Sequence, residues 1–136
     1  MSRNHINTSL RVPIILLDSI TEIKPTDSGS IIVSASHGGS SSGKFAVKVN
    51  SSVVFFNDAG VGKDAAGIAA LEFLQVNNLA AGTIGFMSAR IGNSTDSWEN
   101  GIISYLNNSA QKIGFLEGLP LKEQAIRLYK KENRNS

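Results

Sequence analysis

The sequence predicts a small α/β domain: a three-layer α/β/α sandwich, Rossmann-like or flavodoxin-like, with a mainly parallel sheet of about four strands. The chain has 136 residues, of which 41% are hydrophobic and 18% charged, a composition typical of one soluble domain. Three segments also share one order, in which a short apolar run is followed by a polar loop with glycine and then by a stretch able to form a helix. This repetition indicates strands and helices that alternate along the chain.

Four apolar runs are predicted to form the strands, at residues 12–17, 30–35, 53–56 and 81–87. The last three runs are nearly continuous rather than alternating, which is typical of strands that are buried on both faces of a parallel sheet. The first run contains Pro13, which fits a strand start or a sheet edge, and its orientation stays open.

Three helices are predicted between and after these strands. The first covers residues 64–76 and is apolar around most of its circumference. The second covers residues 96–113, because Asp96 and Glu99 have the spacing of a capping box and the apolar residues that follow fall on one face. The third begins near Pro120, which suits a first helical turn.

Residues 1–129 are therefore predicted to form a single α/β domain, and residues 130–136 a polar C-terminal tail. The net charge is +2, from 13 basic and 11 acidic residues, which argues against a nucleic-acid partner. The absence of cysteine excludes thiolate nucleophiles and cysteine-bound metals. No apolar window suits a membrane span or a signal peptide, so we expect a cytoplasmic protein without a membrane partner. The exposed edges of so small a sheet predict a homo-oligomer.

The three glycine-bearing loops follow predicted parallel strands, and they are expected to meet at the carboxyl edge of the sheet, where such folds bind ligands. His37 ends one strand just before two glycines, so it is predicted to be the catalytic proton-transfer group. Asp58 is predicted to orient His37 or to act as a second acid or base. For both residues a purely structural role is the alternative.

An anion is expected to bind at the same edge, held by the Lys63 ammonium, by the Arg90 guanidinium and by backbone amides. For Arg90 the alternative is a salt bridge to a nearby aspartate. The predicted ligand-binding residues are Gly38, Gly39, Asn57, Gly60, Gly62, Lys63, Ser88 and Arg90.

Two familiar motifs are matched only in part. Residues 38–44 fit the phosphate-binding pattern G-x-x-x-x-G-K, but Phe45 stands where a magnesium-binding Ser or Thr is needed. Residues 39–43 fit G-x-S-x-G with Ser41 as nucleophile, but no histidine follows His37 in the chain, as that hydrolase order requires. No metal site and no cofactor are predicted, with a nucleotide or a divalent metal as minor alternatives.

The sequence predicts a small-molecule enzyme of the hydrolase, lyase or isomerase type that acts on an anionic metabolite, with His37 transferring a proton. One alternative is a non-catalytic, anion-binding or accessory subunit that uses the same pocket. A purely structural oligomer is another. A partner subunit that completes the pocket is also compatible with so short a chain.

Overall fold

A computed structural model describes residues 2–6 and 9–131 and contains one six-stranded sheet with five α-helices. The strands are β1 (Arg3–Ile6), β2 (Ile14–Leu17), β3 (Ile31–His37), β4 (Val53–Asn57), β5 (Ala81–Ile84) and β6 (Ile103–Leu106). The helices are α1 (Ser40–Ala46), α2 (Ala69–Val76), α3 (Ser94–Asn100), α4 (Asn108–Ile113) and α5 (Leu121–Tyr129). Short 3₁₀ helices lie at Ile20–Glu22 and Pro25–Asp27, and Lys63–Ile68 forms a series of turns in which the backbone of Asp64 and Ala65 is not helical.

The sheet is mixed, and its six strands lie side by side in chain order. Strands β2 to β5 are parallel, whereas β1 and β6 pair antiparallel at the two edges. The α/β fold is thus confirmed, but the prediction of about four strands was wrong. The strand order also lacks the reversal that defines Rossmann-like and flavodoxin-like sheets, so no crevice arises from a reversal of strand order.

The two edge strands were missed for different reasons. Strand β1 is largely polar, because it contains Arg3, Asn4 and His5. Strand β6 lies within the predicted helix 96–113, which is in fact α3, β6 and α4 in succession. Helix α3 ends at Asn100, and Gly101, which follows it, has an extended backbone.

Side chains that cap these helices also differ from the prediction. Asn93, and not Asp96, caps α3 by accepting a hydrogen bond from the Asp96 amide at 2.9 Å. Asn107 caps α4 in the same way through the Ala110 amide at 3.0 Å. The helical spacing of apolar residues predicted one helix where the chain forms two. Each of the two begins after an asparagine whose side chain accepts a hydrogen bond from a backbone amide of the first turn.

Hydrophobic side chains form two buried clusters, and successive strand residues alternate between them. Val53 and Phe55 belong to one cluster, together with Trp98 of α3 and Ala125 of α5. The other cluster includes Val54 and Phe56, and in it lie Ala70 and Leu74 of α2. The alternation confirms that the central strands are buried on both faces, as their continuous apolar runs predicted.

The carboxylate of Asp18, just after β2, joins three parts of the chain. Its Oδ2 accepts hydrogen bonds from the amide (3.0 Å) and hydroxyl (2.7 Å) of Ser2, before β1. Its Oδ1 accepts from the amide (2.9 Å) and hydroxyl (2.7 Å) of Ser94, the first residue of α3. Partial burial alone would raise the pKa of Asp18, but the bonds from Ser94 and Ser2 outweigh it and lower the pKa from 3.8 to about 2.

No helix in residues 2–6 and 9–131 has both the length and the apolarity needed to cross a bilayer. Of the predicted C-terminal tail, residues 132–136 lie outside the described residues. Lys130 is inside them and forms an isolated β-bridge with Leu10.

Replacing Asp18 by Asn is expected to lower the free energy of unfolding by about 2 kcal/mol at pH 7, because an amide cannot accept all four hydrogen bonds. The folded pKa of Asp18 lies below its unfolded value. The stabilisation is therefore fully present above about pH 4 and is lost as the pH falls toward 2. Urea unfolding across this range measures the difference, with exposed Glu72→Gln as the control. An equal loss at pH 2 and pH 7 would contradict this role for the Asp18 charge.

Candidate functional site

The carboxyl ends of three neighbouring strands meet at one edge of the sheet, as the sequence predicts. His37 at the end of β3 lies beside Asn57 at the end of β4, and Asn57 lies beside Ile84 at the end of β5. The three glycine-bearing loops leave the sheet from these positions. This edge therefore collects most of the predicted site residues.

A cavity of about 510 Å³ opens at this edge, between the start of α1 and the loop that follows β4. Its volume falls within the range of small-molecule binding sites. The residues that line it are His37, Gly39, Ser40, Ser41, Ala59, Val61, Gly62, Ala66 and Gly67. Three of the predicted site residues, His37, Gly39 and Gly62, are thus brought together.

The imidazole of His37 is exposed and is oriented by the residue two positions later. Its Nδ1 accepts a hydrogen bond from the Gly39 amide at 3.1 Å. In a neutral imidazole an accepting Nδ1 leaves the proton on Nε2, so Nε2 is a hydrogen-bond donor. A Cβ at position 39 would lie 2.7 Å from both Nδ1 and Cε1 of His37, so only glycine leaves room for this ring position. The backbone is fixed as well, since the Ser42 hydroxyl donates to the His37 carbonyl at 2.6 Å.

The two polar residues after β4 hold loops in place rather than facing His37. Asp58 is buried, and its Oδ1 accepts from the amides of Gly60 (2.9 Å) and Phe86 (3.1 Å). Asn57 is also buried; its side chain accepts from the Ala59 amide at 2.8 Å and donates to the Ala89 carbonyl at 3.1 Å. In the part of the chain that the structure describes, the bond from Gly39 is the only hydrogen bond of the His37 ring.

The loop after β4 has an unusual backbone. Four residues other than glycine have a positive φ: Ala59 (51°), Val61 (66°), Asp64 (58°) and Ala65 (57°). Gly60 and Gly62 add values of 76° and 75°. A positive φ is rare outside glycine and is especially unfavourable for a β-branched valine. Backbone strain of this kind concentrates at binding and catalytic sites.

Close backbone contacts hold this loop against the end of β3. A Cβ on Gly67 would overlap the Asp58 carbonyl, and one on Gly38 would overlap the Gly67 carbonyl. The Gly67 amide donates to the Val61 carbonyl at 2.7 Å, and the Ala70 amide donates to the Gly38 carbonyl at 2.8 Å. The structure thus places the predicted Gly38 under the cavity as a packing residue.

The other predicted residues lie around the cavity or outside it. Lys63 is exposed and follows Gly62 of the cavity wall. Gly60 faces the ring of Phe86, to which a Cβ would come within 3.6 Å. The Ser88 hydroxyl donates to the Gly85 carbonyl at 2.7 Å and accepts from the Ile102 amide at 2.9 Å, which shapes the loop after β5.

Arg90 lines a different cavity, of about 440 Å³, on the side of α3. Its neighbours there are Asn93, Thr95, Asp96, Glu99 and Asn100. The Arg90 amide donates to Asp96 Oδ2 at 2.8 Å. The structure therefore does not bring Arg90 and His37 into one cavity.

Comparisons of the chain with protein-family models, curated proteins and solved structures found no significant match. The geometry of the site is therefore the basis for any functional proposal. Within residues 2–6 and 9–131, no three His, Asp or Glu residues are grouped closely enough to hold a metal ion.

Several cavity residues were not predicted as site residues, namely Ser40, Ser41, Ala59, Val61, Ala66 and Gly67. Ser40 and Ser41 belong to α1, a helix that was not predicted from the sequence. Ala59 and Val61 alternate with glycines from Ala59 to Gly62. This pattern could have indicated a backbone with positive φ angles that comes close to a ligand.

The strain in the loop after β4 predicts that Ala65→Gly raises the free energy of unfolding by about 1 kcal/mol, because glycine adopts a positive φ without penalty. Ala69→Gly is the matched control. Its φ is −61°, so the same substitution is expected to lower the free energy of unfolding by about 1 kcal/mol. Urea unfolding of both variants measures these changes. A loss of stability in both would show that position 65 carries no strain.

Proposed function

We propose that the protein binds a small anionic metabolite in the cavity beside His37. The observation that carries this proposal is the hydrogen bond from the Gly39 amide to His37 Nδ1, which leaves the Nε2 proton free for a ligand. A donor of this kind selects an oxygen acceptor such as a carboxylate, a phosphate or a carbonyl.

The surroundings of His37 support an anion. Ser40 and Ser41, whose hydroxyls are able to donate hydrogen bonds, line the same cavity, while Lys63 follows Gly62 in the chain and adds a positive charge. No aspartate or glutamate is among the described residues that line the cavity. Among the described residues, the lining therefore offers a bound anion residues that can donate hydrogen bonds and no carboxylate.

Catalysis is the second candidate function, and the same hydrogen bond limits its form. With Nε2 protonated, His37 acts as a proton donor toward an oxygen of the substrate, as in the acid step of a hydrolase, lyase or isomerase. It does not serve as a base at Nε2 while Gly39 holds Nδ1 as the acceptor. Asp58, the predicted partner of His37, makes no hydrogen bond to it among the described residues, and its Oδ1 accepts instead from the amides of Gly60 and Phe86.

Other expectations also remain proposals. We propose a three-layer arrangement in which α1 and α2 cover one face of the sheet and α3 and α5 the other. A cytoplasmic location, assembly into a homo-oligomer and the absence of nucleic-acid partners likewise rest on the sequence alone.

A thermal-shift screen of anionic metabolites tests the proposed function. A ligand that binds the native state raises the melting temperature, and this rise should be lost in His37→Ala. Arg90→Ala is the matched control, because Arg90 lines the other cavity and its loss should leave the rise intact. A rise that depends on Arg90 and not on His37 would refute the proposed site.

The contact between Gly39 and His37 gives a second prediction. Gly39→Ala should weaken binding about as much as His37→Ala, since the added methyl group displaces the imidazole while a φ of −80° suits alanine. In the His37→Ala background, Gly39→Ala should then have almost no further effect. Calorimetric affinities of the wild type, both single variants and the double variant measure this. Additive losses would mean that Gly39 acts on the ligand directly rather than through His37.

A further inference from the structure

The walls of the His37 cavity differ in chemistry, and this difference limits the class of ligand. We propose that the ligand is a compact aliphatic monocarboxylic acid, whose carboxylate meets His37 and whose alkyl group lies against the loop after β4. This inference rests on the proposed function, because it assigns a ligand class to the same cavity.

One wall of the cavity offers hydrogen-bond donors. It consists of His37, whose Nδ1 accepts from the Gly39 amide, and of Ser40 and Ser41 at the start of α1, whose hydroxyls are able to donate. The planar carboxylate has two oxygens, so it can accept from Nε2 and from a hydroxyl at the same time. This wall accounts for the head of the ligand.

The part of the lining that belongs to the loop after β4 is aliphatic. It is formed by Ala59, Val61 and Ala66, with the backbone of Gly62 and Gly67 between them. Ala59 and Val61 have a positive φ, and the loop is held in this conformation by hydrogen bonds that the Gly60 and Val61 amides donate to Asp58. Aliphatic side chains offer a ligand apolar contact and no side-chain hydrogen-bond partner, so this part of the lining suits an alkyl group rather than a sugar.

The charges around the cavity exclude other classes of anion. An amino acid would bring an ammonium group, but no carboxylate is among the described residues that line the cavity. Phosphate esters and dicarboxylates carry at least two charges, whereas the positive charge of Lys63, which follows Gly62 of the cavity wall, is followed in turn by the negative charge of Asp64. A single negative charge therefore fits best.

Calorimetry and amide NMR spectra of the full chain test this with a matched set of probes. We expect 3-methylbutanoate to bind about tenfold or more tightly than acetate, because its alkyl group covers the aliphatic wall. Leucine and 3-methylbutylamine should not bind. The binding of 3-methylbutanoate should be lost in His37→Ala.

Aspartate substitutions at two neighbouring alanines compare a residue that lines the cavity with one that does not. Ala66→Asp places a carboxylate in the aliphatic wall and should weaken the binding of 3-methylbutanoate at least about tenfold. Ala65→Asp places the same charge one residue earlier, at an exposed position that does not line the cavity, and should change the affinity by less than about threefold. Equal losses in both variants would overturn the assignment of Ala66 to the ligand-facing wall.

The remaining outcomes distinguish this inference from the proposed function. If inorganic phosphate or succinate binds more tightly than 3-methylbutanoate and still depends on His37, the aliphatic acid is wrong and the anion site stands. If 3-methylbutylamine binds as well as the acid, the ligand class is also wrong. If no anion in the set binds in a way that depends on His37, both proposals fail.

Discussion

The carboxyl edge of the sheet depends on a contact between backbones that leaves no room for side chains. Gly38, just after β3, lies against the Gly67 carbonyl, and Gly67 in turn lies against the Asp58 carbonyl after β4. This contact lets the loop after β4 fold back over the end of β3 instead of extending into solvent. The cavity beside His37 is the space between that folded loop and the start of α1. A side chain at either glycine would separate the two walls.

The folded loop is costly, and hydrogen bonds around Asp58 offset the cost. Four residues other than glycine with a positive φ represent several kcal/mol of strain at about 1–3 kcal/mol each. Against this, the Asp58 side chain binds two amides, its carbonyl accepts from the Val61 amide at 2.6 Å, and Asn57 binds the amide of Ala59. Buried hydrogen bonds to a charged group are among the stronger ones in proteins. The polar residues at the end of β4 thus shape the cavity without entering it.

Much of the sheet could be predicted from the sequence, because its central strands are continuous apolar runs. Neighbouring residues of β3 and β4, such as Phe55 and Phe56, belong to different buried clusters. A short run in which every residue is apolar favours such a strand, which is buried on both faces. Strand β1 could not be found in this way, since an edge strand buries little and can be polar. Strand β6 was concealed because Ile103, Leu106, Ala110 and Ile113 happen to follow a helical spacing, although Gly101 and Asn107 interrupt it.

The site was predictable at the level of loops but not of side-chain partners. Parallel strands alone bring His37 and Asn57 to one edge. The sequence does not show which donors the Asp58 carboxylate binds. In the structure its Oδ1 accepts from the amide of Gly60, two residues later in the chain, and from the amide of Phe86, in the loop after β5. Arg90 lies in the cavity beside α3, a helix that begins four residues later, and its amide donates a hydrogen bond to Asp96 of that helix. Such choices among competing donors are set by three-dimensional packing.

The Gly39 amide decides which chemistry the imidazole of His37 can perform. A backbone N–H can only donate a hydrogen bond, so in a neutral imidazole it holds Nδ1 as the acceptor and assigns the proton to Nε2. A catalytic base paired with a serine needs the opposite arrangement, in which a carboxylate or carbonyl accepts from Nδ1 and Nε2 is free to take a proton. Ser40 and Ser41 line the same cavity, yet with this tautomer they are fellow donors of His37 rather than nucleophiles that it activates. Residues that can donate hydrogen bonds and line one cavity are matched by a ligand oxygen, which is why we propose binding of an anion ahead of nucleophilic catalysis.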